Sequence, residues 1–428
     1  GMAVGPAGGR AALSCPHGEQ VAYWKPMSPS DQATKSMFRA VGPEDKFVTF
    51  EPDRGGWNNI RMQMETVLVF AAATGRTLVL PPEQRMYLLD KDAKDNKHSF
   101  ADFFPFEQIR RWQPVVSMGE FLRRLSKAED APKDVAKMVS EDWDSRGPAE
   151  LWQFLRRIGN TPAWAPMKEY LVIPPRPGLN VSGQPAVAEA ERIFAAGRQP
   201  VYYTQAMQQA RVVHFMTDKN VRLFTHFYTF VHFQDPAQDR MFKRRVRDTV
   251  RYTDEIFCVA ARIVAALQAE GGGSYSSYHI RRGDLQYKMV KLPGEELYNN
   301  TKFIFHENEL VYIATDEKNS AYFDPWRRGN LRLRFLSDFW DSAGLSEVNK
   351  NHLGMIEQIV ATRGRAFSGT WFSTFTGYIA RMRGYWGYSV DSLTVGTPFH
   401  QKSYKTEYYP RFPYYVREWP TSWDKIDE

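Results

Sequence analysis

The sequence predicts an α/β protein made of two doubly wound, Rossmann-type domains facing each other across a cleft. Three observations point there. Residues 46–50 read as a strand, followed by a glycine-containing turn, a long helical pattern and a second strand at 77–80, which together make a βαβ unit. Residues 275–280 alternate Tyr and Ser before Ile280, and the strand they predict ends in Arg281-Arg282-Gly283-Asp284. Residues 309–314 form an apolar run closed by Thr315-Asp316, so strands and helices alternate again in the second half.

In chain order, residues 1–44 are rich in Gly, Pro, Ala and Ser with little periodicity, which predicts a flexible lead or stem; Gly1-Met2-Ala3 reads as a tag scar. The N-terminal domain is expected over 45–236. Its first helix is outlined by Trp57, Ile60, Met64, Val67, Leu68 and Ala71, spaced three and four apart and so on one face, and Gly75 closes it. Residues 84–200 are harder to read, with a charged stretch at 90–97, amphipathic segments at 103–112 and 118–125, and prolines at 174–177. Strands are expected at 212–215 and 223–233, and the turn Gln234-Asp235-Pro236 marks the domain boundary. A C-terminal domain follows over 237–390. Tyr252, Ile256, Val259, Ala260, Ile263 and Leu267 outline its long helix, and strands are expected at 275–280, 309–314, 333–336 and 365–369. Leu353, Ile356 and Val360 mark another helix, and a last one starts at Ser373 with Phe375, Tyr378, Ile379 and Met382 on one face. Residues 391–428, rich in Tyr, Trp and Pro, are expected to wrap back over both domains.

A chain of 428 residues can build two ordinary cores, and 43% apolar with 25% charged residues excludes a disordered chain. No run of eighteen apolar residues is present, so no membrane span is expected. The net charge of +7 favours anionic ligands. Basic residues are nevertheless scattered among acids, without zinc-finger spacing, an RNP motif or a Lys/Arg block, which argues against nucleic acid and leaves a nucleotide-sized anion. Two cysteines, Cys15 and Cys258, exclude a disulfide scaffold without excluding an oxidising compartment. Cys258 falls in a helical apolar pattern and is expected to be a small buried hydrophobe. Asp142-Trp143-Asp144 matches the DxD pattern of metal-dependent sugar transfer but lacks a buried strand before it, and no HExxH or CxxC spacing occurs, so no metal ligands are assigned.

The chemistry concentrates at two turns. In Asp53-Arg54-Gly55-Gly56-Trp57-Asn58-Asn59, the glycines let backbone N–H groups approach a ligand at a helix N-terminus, where the dipole favours anions. Arg281 and Arg282, at the carboxyl end of a strand, are placed to grip a diphosphate through paired charge-assisted hydrogen bonds. Ser373 is a good N-cap residue whose helix would turn its first N–H groups to the same ligand. Asp284 is expected to fix the arginines.

Three stretches taken together resemble the GDP-fucose protein O-fucosyltransferases: the Gly55–Asn59 turn with its helix, His279-Ile280-Arg281-Arg282-Gly283-Asp284, and Thr315-Asp316 followed by Gly369 to Phe375. They occur in order across residues 45–390. The resemblance implies a GT-B fold and inverting transfer of fucose from GDP-fucose, with no cofactor or metal required. It implies that His279 and Arg281 bind the donor, that Arg282 is a second donor arginine, and that Asp316 recognises guanine or ribose. Ser373, Thr374 and Phe375 would hold the β-phosphate, Gly55 and Gly56 would lie against the donor, and Asn58 would face the acceptor, with Arg54 close to a basic residue of that turn. Arg281, Asn58 and Asp53 are the residues assigned to catalysis. The chain departs from some members in having Gly55 where they carry a glutamate base; Glu51 and Asp53 are nearby but displaced. The acceptor implied is a protein or glycan hydroxyl, the location the lumen of the ER or Golgi, and the state a monomer. Alternatives on the same scaffold are a UDP-rhamnose-dependent transferase acting on polysaccharide and a catalytically silent nucleotide- or glycan-binding protein.

Overall fold

The computed structural model describes residues 13–39, 45–89, 97–396, 418 and 420–428. Its contacts divide the chain into two units. One runs Met27–Arg251 and takes in Ile426–Glu428; the other joins Gly1–Pro26 to Tyr252–Lys425.

The first unit contains β1 (Phe47–Phe50), α1 (Trp57–Ala73), β2 (Thr77–Val79), β3 (Val115–Val116), β4 (Glu169–Ile173), β5 (Gln199–Tyr202), β6 (Val212–Phe215) and β7 (Val231–Phe233). These form two parallel sheets, in the orders β3-β2-β1-β6 and β5-β4-β7. The apolar face expected of α1 is present, but its polar face is buried too. Arg61 and Glu65 pair at 2.8 Å with neither side chain exposed, Gln63 donates to Thr217 Oγ1, and Thr66 donates to the Thr225 carbonyl. Arg61, Gln63, Glu65 and Thr66 thereby each make at least one polar contact. The strand expected over 223–233 is shorter: Phe227–Phe230 makes one helical turn against α1, and only Val231–Phe233 pairs as a strand.

The second unit contains α2 (Asp254–Glu270), β8 (Ser276–Ile280), β9 (Leu310–Thr315), β10 (Arg332–Phe335), α3 (Leu353–Thr362), β11 (Phe367–Thr370), α4 (Thr374–Tyr385) and β12 (Leu393–Gly396). Its five-stranded parallel sheet runs β10-β9-β8-β11-β12, with β8 central and His279 level with Ala314 on one side and Gly369 on the other. The α/β class and the parallel sheets agree with the sequence. A strand as polar as β8 tolerates full burial because its hydroxyls are satisfied: Ser276 donates to Glu309, Ser277 to the Ala361 carbonyl and Tyr278 to Thr301. At Gly369 a Cβ would lie 2.3 Å from Thr376 Cγ2, so the glycine is what lets the start of α4 close onto the sheet.

Three expectations need correction. Residues 13–26 are not a free lead: Cys15 is disulfide-bonded to Cys258 on α2, and Tyr23 and Trp24 pack edge-on against Phe257. Cys258 is therefore a cross-link rather than a lone buried thiol. Further along, the Asp31 carboxylate takes a two-pronged ion pair from Arg244 within the first unit. The change of unit falls at Tyr252, not at 237, because Pro236–Thr249 is a helix that stays with the first unit. Of the tail expected to wrap over both domains, residues 397–417 and 419 lie outside the described residues, as does most of the charged stretch, 90–96. Among the described residues no helix is long and apolar enough to cross a membrane.

Candidate active site

β8 delivers residues 281–284 at its carboxyl end, and Asp316, just beyond β9, holds them there. Asp316 Oδ1 accepts from the Arg282 amide at 2.6 Å and Oδ2 from the Gly283 amide at 3.0 Å. A Cβ on Gly283 would sit 2.7 Å from Oδ2, so the carboxylate comes this close because the residue is glycine. On the other side the Arg281 amide donates to Thr370 Oγ1 at 2.9 Å, and that hydroxyl donates to the His279 carbonyl at 3.1 Å. Both oxygens of Asp316 thus hold the loop in place, with acceptor capacity left over.

The two arginines separate in function. Arg281 Nη2 donates to the Asp284 carbonyl at 2.7 Å, and its Nε is buried without an acceptor, so most of its five donors are uncommitted among the described residues. Arg282 is spent on structure. Its Nε pairs with Glu317 at 2.8 Å, its Nη1 donates to the Leu292 carbonyl at 2.6 Å, and the guanidinium lies 4.5 Å above the Tyr322 ring. Arg281 thus has fewer of its donors committed than Arg282 among the described residues. Asp284 does fix Arg281, but through its backbone carbonyl.

His279 is buried between β8 and α4. Its Nδ1 lies 2.8 Å from Thr376 Oγ1 and its ring stacks on Phe375 at 4.3 Å. Burial, and then the positive charge of Arg281, push its pKa down to about 3, so the ring is neutral at physiological pH. Ser373 occupies the N-cap of α4 but makes no capping bond; its Oγ is buried and unpartnered among the described residues, and the residue is only 2% exposed. Thr374 opens the helix. Just before it, Phe372 adopts φ +62°, a strained conformation for a bulky side chain, and stacks on Tyr287 at 4.7 Å. The chain reverses there from β11 into α4, and the reversal brings an uncapped helix N-terminus, an uncommitted hydroxyl and Arg281 to the carboxyl ends of two adjacent strands. Such an end attracts anions, because its first N–H groups lack intrahelical acceptors.

One ionisable group in this unit escaped the sequence reading. Glu357, on α3, accepts from the Tyr312 hydroxyl at 3.3 Å. Burial pushes its carboxyl up; the Tyr312 bond opposes the rise and the charge of Asp316 adds to it, giving about 8 against an ordinary 4.5. The folded state therefore holds a proton that the unfolded chain has lost. The stabilisation is full below about 4.5 and is lost as pH rises through about 8. Glu357→Gln should flatten the fall in melting temperature between about pH 6 and pH 9. Identical pH dependence in the variant would exclude Glu357 as its source.

In the first unit, the turn after β1 is built around two committed carboxylates. Asp53 takes two hydrogen bonds from Arg222, at 2.8 and 2.7 Å, and one from the Gly55 amide at 2.7 Å, with none of its side chain exposed. Glu51 is gripped by Arg156 at 2.5 and 2.6 Å and is met by His214 Nε2 at 3.1 Å. Burial raises the Glu51 carboxyl, but the hydrogen bonds from His214 and Arg156 outweigh it and hold the group below the usual range. Asp53, assigned to catalysis from the sequence, is held by Arg222 and the Gly55 amide and so fixes the shape of the turn. A Cβ at Gly55 would sit 2.0 Å from Asn59 Nδ2 and would force that side chain to move, whereas at Gly56 the nearest described atom is Leu88 Cδ1, at 3.5 Å. Asn58 is buried in the first turn of α1. Asp142 of the DxD pattern caps the short helix Trp143–Arg146 and Asp144 accepts from the Glu83 amide. Among the described residues no three His, Cys, Asp or Glu side chains converge as a metal-ligand set.

Curated protein sequences give no match to the chain. Solved structures similar to it include POFUT1 in complex with GDP-fucose, at 14% identity, TM-score 0.43 and coverage of 83% of this chain and 99% of that one. Another is a mutant of Arabidopsis thaliana FUT1 in complex with GDP, at 11% identity, TM-score 0.40 and coverage of 85% and 75%. A third is the fucosyltransferase NodZ from Bradyrhizobium, at 15% identity, TM-score 0.39 and coverage of 79% and 93%. The sequence profile described as GDP-fucose protein O-fucosyltransferase matches residues 47–386, which include both turns and every site residue named above. The chain belongs to the GDP-fucose protein O-fucosyltransferase family and is a glycosyltransferase.

Proposed function

We propose that the chain transfers fucose from GDP-fucose to a hydroxyl of a protein acceptor, with inversion and without a required metal ion. The observation that carries this reading is Arg281, a positioned guanidinium with uncommitted donors beside the uncapped start of α4. In the reaction the bond from fucose C1 to the β-phosphate oxygen breaks, and negative charge gathers on the departing GDP while the sugar becomes oxocarbenium-like. Arg281, the α4 N–H groups and Ser373 Oγ stabilise that charge from fixed positions. In the tautomer whose Nδ1 accepts from Thr376, neutral His279 presents Nε2–H as a further donor. Thr374 and Phe375 shape the same helix start. The acceptor oxygen attacks C1 from the opposite face. As the new C1–oxygen bond forms, the acceptor's proton passes to solvent and the departing GDP carries away the balancing negative charge.

The Cys15–Cys258 bond supports work in an oxidising lumen such as the ER or Golgi. The donor assignment is tested by thermal shift with GDP, GDP-fucose, UDP and UDP-rhamnose, combined with a count of GDP released from GDP-fucose. Stabilisation by GDP and GDP-fucose with measurable GDP release is expected. Stabilisation by the uridine compounds alone would replace the donor, and binding of GDP-fucose without any turnover would favour a silent binding protein.

A further inference from the structure

Phe372 stands just past the end of β11 and directly before Ser373, the N-cap of α4, with φ at +62°. A left-handed backbone is costly for a bulky side chain, and glycine would meet the same reversal without strain. The neighbours of the two aromatic residues here differ. Trp371 packs against the buried cluster that contains Phe367, Ile379 and Leu393. The Phe372 ring instead stacks on Tyr287, with centroids 4.7 Å apart and planes 28° apart, and takes the edge of Trp371 at 5.6 Å. Tyr287 belongs to the loop that begins with Arg281. Asp316 and Thr370 anchor the start of that loop. Further along, the Leu285 amide donates to Gly283, Lys288 to Gln286 and Val290 to Tyr287, and Lys291 Nζ donates to the Gly283 carbonyl. These bonds close on the loop itself, so they set its shape without setting where it stands relative to α4. The aromatic stack joins the two.

We propose that Phe372 and Tyr287 form a latch that holds the Arg281 loop against the start of α4, so that the guanidinium and the helix N–H groups address one anion together. Backbone strain persists only where the surrounding contacts over-determine it. The turn alone does not account for a phenylalanine at this position, whereas the stack does, because aromatic pairs attract in preferred geometries beyond the area they bury. Both are positioning residues: neither is assigned a contact with the donor, and each acts through Arg281. Without the latch Arg281 keeps its charge and its bond to the Asp284 carbonyl but loses a fixed approach. Fixed donors stabilise a developing charge because they need no reorganisation during the reaction, and a loosened loop gives up that advantage. The effect on turnover rests on the proposed transfer from GDP-fucose; the tie between loop and helix start does not.

The test compares Phe372→Ala, Phe372→Gly, Phe372→Tyr and Tyr287→Ala in the full chain by kinetics with GDP-fucose, melting temperature and hydrogen exchange of amides 283–291. Phe372→Ala, Phe372→Gly and Tyr287→Ala should each lower kcat by at least about tenfold with little change in KM, as expected when a reacting group is misplaced rather than removed. Phe372→Gly should melt above Phe372→Ala, because glycine adopts φ +62° freely. Activity would then follow the ring while stability follows the backbone, a split that a merely structural role does not produce. Phe372→Tyr keeps the ring and should restore kcat. Combining Phe372→Ala with Tyr287→Ala should cost no more than either alone, since each breaks the same stack. Amides 283–291 should exchange faster in all the variants that lack a ring. Parent-like kcat in Phe372→Gly, or losses that add in the double variant, would overturn the proposal. If the parent does not consume GDP-fucose, the transfer reading falls and exchange alone decides: faster exchange of 283–291 upholds the latch, and unchanged exchange refutes it. If the parent turns over and the variants without a ring match it, only the latch falls.

Discussion

Replacing Arg281 with alanine is expected to lower fucose transfer by at least about 10²–10³-fold, the usual effect of removing one preorganised donor from a charge-stabilising site. The fold should survive. Among the described residues the guanidinium makes one hydrogen bond, to the Asp284 carbonyl, whereas the Arg281 amide that ties the loop to Thr370 remains in the variant. Melting temperature without ligand should therefore stay near that of the parent, while the stabilisation conferred by GDP shrinks. Arg281→Lys keeps the charge and loses the planar fork, so it should fall between the two. Steady-state rates with GDP-fucose, alongside melts with and without GDP, measure both effects. Turnover close to normal in Arg281→Ala would refute the assignment.

Asp316→Ala should lower transfer almost as far, by roughly 10²-fold, through the loop that it holds. Each of its carboxylate oxygens accepts one loop amide, and a hydrogen bond to a charged group contributes on the order of 1.5–3 kcal/mol. Without them the Arg282 and Gly283 amides lose their acceptor and Arg281 loses its fixed approach. Asp316→Asn retains one acceptor oxygen but turns an N–H toward the second amide, so a smaller loss is expected. Because the role is positioning, the fall should appear mainly in kcat, and the Asn variant should recover part of it. A loss confined to KM for GDP-fucose would instead identify Asp316 as a nucleotide contact.

The contrast between these residues shows what the sequence carries and what it does not. The buried run at 310–315 and the three-and-four spacing of α1 are legible because parallel strands and buried helices need continuous apolar faces. The position of the arginine pair at a strand end is legible for the same reason. Which arginine remains available is not: Arg281 and Arg282 are adjacent and chemically identical, and only Glu317, Leu292 and Tyr322, gathered from other segments, decide the matter. The carboxylates of the first turn fail in the same way. Glu51 is 105 residues from Arg156 and Asp53 is 169 from Arg222, so their neutralisation is invisible to local pattern. The pairing of Cys15 with Cys258, 243 residues apart, is another such long-range fact. Residues 227–230 misled because aromatic residues favour strands, yet one helical turn fits them against α1.

The central claim is that a guanidinium and a helix N-terminus, in place of a divalent ion, neutralise the departing diphosphate. Initial rates of GDP release from GDP-fucose, measured after exhaustive chelation with EDTA and again after adding Mn²⁺ or Mg²⁺, test it most directly. Full turnover in EDTA, unchanged by either metal, is the predicted result. Activity that disappears in EDTA and returns with Mn²⁺ would contradict it.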